Sequence, residues 1–159
     1  SSEVWIRFKL PGQSVSSNST FGIGIMTADR PSADPALTAF VEYQPPPAGL
    51  RPDNIFLATV GVCPGLLSND ISASRCINDT LQLTVADSEV DVRVFFDSHI
   101  AELFFCDGRV AMTTKASASK SAGFSIIVGD SSGPVEVTGQ YAWHMDSIWI
   151  SNEQVLRKT

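Results

Sequence analysis

This sequence predicts an all-β fold, an antiparallel two-sheet β-sandwich, and three observations carry that expectation. Apolar and polar residues alternate at period two in one short run after another, as half-buried strands require. Turn signals rich in glycine, proline, asparagine and aspartate separate the runs at intervals of roughly ten residues, the spacing of sandwiches and barrels. No stretch keeps a helical period over three turns.

The elements follow in chain order. Val4, Ile6, Phe8 and Leu10 alternate with Trp5, Arg7 and Lys9, a strand closed by Pro11-Gly12. Ser14 to Thr20 reads as a loop. Phe21 to Thr27 is a strand whose glycines imply a bulge or a close backbone approach. Asp29 to Pro35 is a turn region and Ala39 to Tyr43 a strand. Gln44 to Gly49 holds consecutive prolines, which lack the ladder donor, so it is a stiff surface connection. Asn54 to Val62 and Thr80 to Ala86 are strands on either side of a polar loop.

Val92 to Ala116 is the most informative stretch, a meander of strands. Val92, Val94 and Phe96 lead to Asp97-Ser98-His99; Ile100, Leu103 and Phe105 lead to Asp107-Gly108; Val110, Met112 and Thr114 follow. Glycine accepts positive φ at little cost, which makes Asp107-Gly108 a hairpin signal. Gly123 to Gly129, Val135 to Tyr141 and Ile148 to Ile150 complete the set.

Within Leu81 to Ile150 the order of motifs resembles the C-terminal sandwich of glycoside hydrolase family 32, the invertase and fructosyltransferase family. The residues that carry the likeness are Asp97-Ser98, Glu102, Phe104, Asp107-Gly108-Arg109, Met112-Thr113-Thr114, Gly133 to Thr138 and Ala142 to Ile148. The resemblance implies a jelly-roll or galectin-like sandwich with no chemistry of its own, since in that family the carboxylates sit on a separate propeller. The family's nucleophile and acid/base motifs are absent from this sequence, and Asp29-Arg30-Pro31 has the wrong order for a third.

At 159 residues and 17.1 kDa, with 43% hydrophobic and 18% charged residues, the chain is expected to form a single domain, residues 1–159. It starts Ser1-Ser2-Glu3 without methionine, which leads us to expect a domain excised from a larger secreted protein. A net charge of −6 excludes a nucleic-acid partner, because phosphate binding needs a basic face. No apolar run is long enough for a bilayer, so membrane insertion is not expected.

Cys63 and Cys76 flank a polar, turn-rich stretch that a disulfide would staple, contributing about 3 kcal/mol in the chain-entropy model. Cys106 is left over, as a free thiol, an intermolecular bridge or an alternative partner for either. Asn18-Ser19-Thr20 and Asn78-Asp79-Thr80 are glycosylation sequons in loop-like contexts. Together with the paired cysteines they point to a secreted or extracellular protein, or one in a secretory organelle.

Chemistry finds little support. Glycoside hydrolysis needs two carboxylates with separated roles. Asp97 and Asp107 fall at turns, where aspartate bonds its own backbone, and Glu102 lies mid-strand. His99 and His144 lack a partnered serine nucleophile, and histidines and cysteines show no ligand spacing for a metal. Asp29 to Asp34 lacks a regular calcium pattern. No enzyme activity, catalytic residue, cofactor or metal is expected.

The expected role is a non-catalytic interaction module that binds another protein or a neighbouring domain in an extracellular or cell-adhesion complex. Carbohydrate binding is the alternative, as a lectin-like module or fructosidase accessory domain. Sandwich lectins stack sugars on aromatic rings. Among Trp5, Trp143, Trp149 and Tyr43, the resemblance makes Trp143 and Trp149 packing residues, while Trp5 alternates out of phase with its buried neighbours and is the candidate stacking aromatic. The ordered residue set of a galectin β-galactoside site is missing.

Overall fold

The computed structural model describes residues 2–11, 18–27, 35–65, 76–97, 99–116, 121–128 and 135–144. These form β1 (Ser2–Lys9), β2 (Ser19–Thr27), β3 (Leu37–Tyr43), β4 (Ile55–Pro64), β5 (Ile77–Thr84), β6 (Glu89–Asp97), β7 (Ile100–Phe105), β8 (Val110–Lys115), β9 (Ser121–Val128) and β10 (Glu136–His144). No helix occurs among the described residues. One sheet has the order β10-β1-β6-β7-β8 and the other β5-β4-β3-β2-β9, each five-stranded. All neighbouring strands run antiparallel. The fold is the two-sheet sandwich that the alternation implies.

Alternation also decides which face each side chain takes. Val4, Ile6 and Phe8 of β1, Phe21, Ile23 and Ile25 of β2, and Val90, Val92 and Val94 of β6 point inward and are buried. Phe8 and Phe21 meet across the two sheets at 4.8 Å between ring centroids. Leu81, Leu83, Leu103 and Phe105 close the core toward β5 and β7. Such apolar burial, at about 25 cal/mol per Å², is the main favourable term holding the sheets together.

The glycines of β2 serve close approach. A Cβ on Gly22 would sit 2.8 Å from the Phe40 Cα, inside the backbone of β3. A register shift between Met26 and Thr27 adds a bulge at the end of the same strand.

Two boundaries differ from expectation for a physical reason. Cys63 and Cys76 are disulfide-bonded, and the bridge clamps the ends of β4 and β5 so that Val62 pairs with Ile77. Pairing therefore runs through Asn78 and Asp79, whose polarity had suggested a loop; all of Ile77 to Thr80 is exposed. The second sequon is on a strand rather than in a loop. Similarly, Ser19 and Thr20 belong to β2, leaving Asn18 exposed just before it. The expected strand Ile148 to Ile150 and, apart from Pro35, the turn region Asp29 to Pro35 lie outside the described residues.

The Asp107-Gly108 turn is longer than a two-residue hairpin. Cys106, Asp107 and Gly108 take φ of 49°, 53° and 89°. The Gly108 and Arg109 amides close it by donating to the carbonyls of Phe105 and Cys106 at 3.2 Å.

Candidate functional site

The outward face of the β10-β1-β6-β7-β8 sheet gathers aromatic and charged residues from distant parts of the chain. Because Val4, Ile6 and Phe8 face the core, Glu3, Trp5, Arg7 and Lys9 face out. Register then sets their neighbours. Trp5 lies between Tyr141 of β10 and Arg93 of β6; Glu3 lies between Trp143 and Phe95. Phe104 of β7 is opposite Arg93, extending the row.

Three rings form a ladder. Tyr141 and Trp143 stack with centroids 3.7 Å apart and planes 4° from parallel. Trp5 stacks on Tyr141 at 5.0 Å and 18°. The Arg7 guanidinium covers Trp5 at 4.8 Å from the ring centre, a cation–π contact. One end of the ladder is thus capped by a cation, while Trp143 at the other end is 46% exposed. Gly139 makes room for the Trp5 indole: a Cβ there would stand 2.9 Å from the ring.

Carboxylates fix the rings in place. Glu3, only 7% exposed, accepts from Trp143 Nε1 at 2.8 Å and from the Tyr141 hydroxyl at 3.2 Å, and pairs with Arg93 Nε at 3.3 Å. Arg93 also donates to the Tyr141 oxygen at 2.9 Å. Burial and the Glu3 carboxylate together raise the Tyr141 phenol above its ordinary pKa. Trp5 Nε1 donates to Asp91 Oδ2 at 3.1 Å. Each ring therefore has its polar atom bonded and its orientation set.

Beside the ladder, Asp91, Arg93, Phe95, Phe104, Asp107 and Gly108 line a cleft of about 170 Å³. Phe95 and Phe104 meet edge to face across 5.8 Å and form an apolar wall. Below it, Arg109 grips Asp87 with two bonds of 2.9 and 3.0 Å. With help from Thr84, this holds the Asp87 carboxyl down at about 2. The buried Cys106 thiol is pushed up to about 11, chiefly by burial and then by Asp91.

The sequence candidates fall in different places. Trp5 is on the outward face, its ring between Tyr141 and Arg7. Trp143, expected to pack inside, is instead exposed, because its register partner Glu3 lies on the outward side of β1. Tyr43 is 4% exposed with its hydroxyl donating to the Pro11 carbonyl, so its ring serves the core. Trp149 lies outside the described residues. Cys106 is a buried free cysteine. Asp97 and Glu102 sit at the end of β6 and in the middle of β7, and Asp107 is at the turn. His99 is exposed, and the His144 side chain is outside what is described. Among the described residues no cluster of histidine, cysteine and acidic side chains suits a metal ion, and no helix is long and apolar enough to cross a membrane.

Tyr141, Glu3 and Arg93 were not legible as site residues. Their only signal is the out-of-phase position each occupies in its strand, and their association depends on β1 pairing with β10, at the far end of the chain.

No protein-family model matches the chain, and no curated protein matches it. Solved structures of galectin-fold congerins are similar in architecture. An ancestral congerin is 10% identical with a TM-score of 0.49, and a congerin II bound to lactose and MES is 11% identical with a TM-score of 0.46. Each likeness covers 89% of this chain and 90% of the congerin.

Proposed function

We propose that this domain is a non-catalytic carbohydrate-binding module of a secreted protein, and that the sugar seats on the outward face of the β10-β1-β6-β7-β8 sheet. The observation that carries this reading is the Trp5–Tyr141–Trp143 ladder, with Arg7 capping one end and Trp143 nearly half exposed at the other. A pyranose or furanose ring presents C–H bonds on one face and hydroxyls at its rim. It stacks on a flat aromatic surface and needs polar groups close by. Trp143 offers the surface, held by the Glu3 bond, and the cleft two strands away on the same face offers Arg93, with Asp91 in the row of Arg7 roughly 13 Å along the strand from that of Trp143. Trp5, with neighbours on both sides of its ring, backs the ladder.

The disulfide supports a secretory location. The resemblance to the family 32 sandwich supports an accessory role beside a catalytic domain. A pure protein-interaction module has less behind it, because the most elaborated face carries rings stacked on one another and bonded to carboxylates rather than an open apolar surface.

A glycan array followed by calorimetric titration of any glycan retained tests the proposal. Stacking on Trp143 contributes about 0.5–1.5 kcal/mol beyond area burial, so Trp143→Ala, which removes both, is expected to weaken binding by roughly tenfold or more. No retained glycan, or affinity unchanged in a folded Trp143→Ala protein, overturns it.

A further inference from the structure

Among the described residues β5 closes one side of its sheet, with β4 as its sole strand neighbour. Such an edge offers unpaired backbone groups to any other strand, and proteins guard against this with lysine, proline, a bulge or a very short strand. β5 has no lysine, proline or bulge and is not short; Asp79 is its one charge. It is eight residues long, reads INDTLQLT, and pairs with β4 in unbroken register. The surroundings are apolar as well: Ile77 is 51% exposed, and Ile55 and Leu57 on the neighbouring strand are 63% and 59% exposed.

The sequon Asn78-Asp79-Thr80 sits on this edge. Register opposes Asn78 to Gly61, Thr80 to Thr59 and Gln82 to Leu57. Val60 and Val62 face the core, so Asn78, Thr80 and Leu57 share the outward face. Asn78 and Thr80 are exposed, and opposite Asn78 stands Gly61, whose missing side chain leaves room for the Phe40 ring. Gln82, the partner of Leu57, is four residues from Asn78, roughly 13 Å along the strand. A branched oligosaccharide on Asn78 would cover that distance.

We propose that Asn78 is an N-glycosylation site and that its oligosaccharide guards the β5 edge, covering Leu57 and Ile55 on the same face. The side-chain amide nitrogen of Asn78 would attack the anomeric carbon of a lipid-pyrophosphate-linked oligosaccharide, forming the N–C1 bond as the C1–O bond to the pyrophosphate breaks, with the lipid pyrophosphate leaving and the amide proton lost to solvent. Glycosylation here is independent of any sugar bound on the opposite sheet.

The test uses the whole 159-residue chain secreted from a glycosylating animal cell line, in an Asn18→Gln background so that any N-glycan reports on Asn78. Release with peptide-N-glycosidase in heavy-oxygen water should convert Asn78 to a labelled aspartate, read by mass spectrometry of its peptide. Thr80→Ala should abolish the label while the circular dichroism stays that of a β-sandwich. An Asn78 peptide recovered wholly unmodified overturns the site. Light scattering then addresses the guarding role. The glycosylated protein should stay monomeric as concentration rises, whereas the folded Thr80→Ala protein should self-associate; equal monodispersity of the two overturns that part.

Discussion

Replacing Glu3 with alanine is expected to destabilise the domain by about 2 kcal/mol and to loosen the ladder. Glu3 holds the Trp143 indole, the Tyr141 hydroxyl and the Arg93 guanidinium through bonds of 2.8, 3.2 and 3.3 Å. Hydrogen bonds to a charged group contribute about 1.5–3 kcal/mol when buried. Trp143 is 46% exposed and the Arg93 side chain 42%, so water replaces much of what those two lose. Counting each contact at roughly 0.5–1 kcal/mol gives the total. For a domain of this length that shifts the thermal midpoint by about 4–8 °C. Urea denaturation should show a lower midpoint at unchanged slope. Tryptophan fluorescence should change as well, since the Trp143 N–H loses its acceptor. A loss below about 0.5 kcal/mol, the range of ordinary surface substitutions, together with an unaltered spectrum would refute the idea that this carboxylate organises the face.

Other consequences follow from the same contacts. The folded Asp87 carboxyl is held at about 2, below its ordinary 3.8, so its contribution is complete above pH 4 and vanishes as pH falls through 2. Allowing for the half-exposed Arg109, roughly 1 kcal/mol should be lost across that window, and urea titrations of Arg109→Ala should lack this increment. The Cys106 thiol, pushed up to about 11 and buried, should resist a thiol-reactive dye at pH 8 in the native protein and react on unfolding; rapid native labelling would contradict its placement. Gly22→Ala drives a methyl group into the backbone of β3 and should cost more than 3 kcal/mol, or prevent folding, as read by circular dichroism.

The fold was legible because strand alternation is a local property. Val4, Ile6 and Phe8 announce their burial without reference to any partner strand, and the glycines of β2 announced the close approach that Gly22 makes to β3. The disulfide was legible because Cys63 and Cys76 bracket a single loop. Boundaries failed where a tertiary constraint outweighed local polarity, as at Asn78 and Asp79, held in a strand next to the bridge. Trp143 was misplaced for a related reason. Which side of a strand faces water is fixed by register with a partner, and here the partner lies 140 residues away.

That separation bears on how the face works. Glu3 and Trp143 meet only when β1 has paired with β10, so the ladder depends on a contact that spans almost the whole described chain. Its rings are then oriented by Glu3 and Asp91 rather than by burial. Because Glu3 already serves three donors, it has little to offer an incoming hydroxyl. Under the carbohydrate-binding proposal, hydrogen bonding to a sugar would fall instead to the cleft formed by Asp91, Arg93 and Asp107. Stacking and polar recognition would then come from different residues on one sheet face. A substitution in the cleft such as Asp107→Ala should alter which sugar is preferred while leaving the ladder intact, whereas one at Trp143 should weaken all sugars alike.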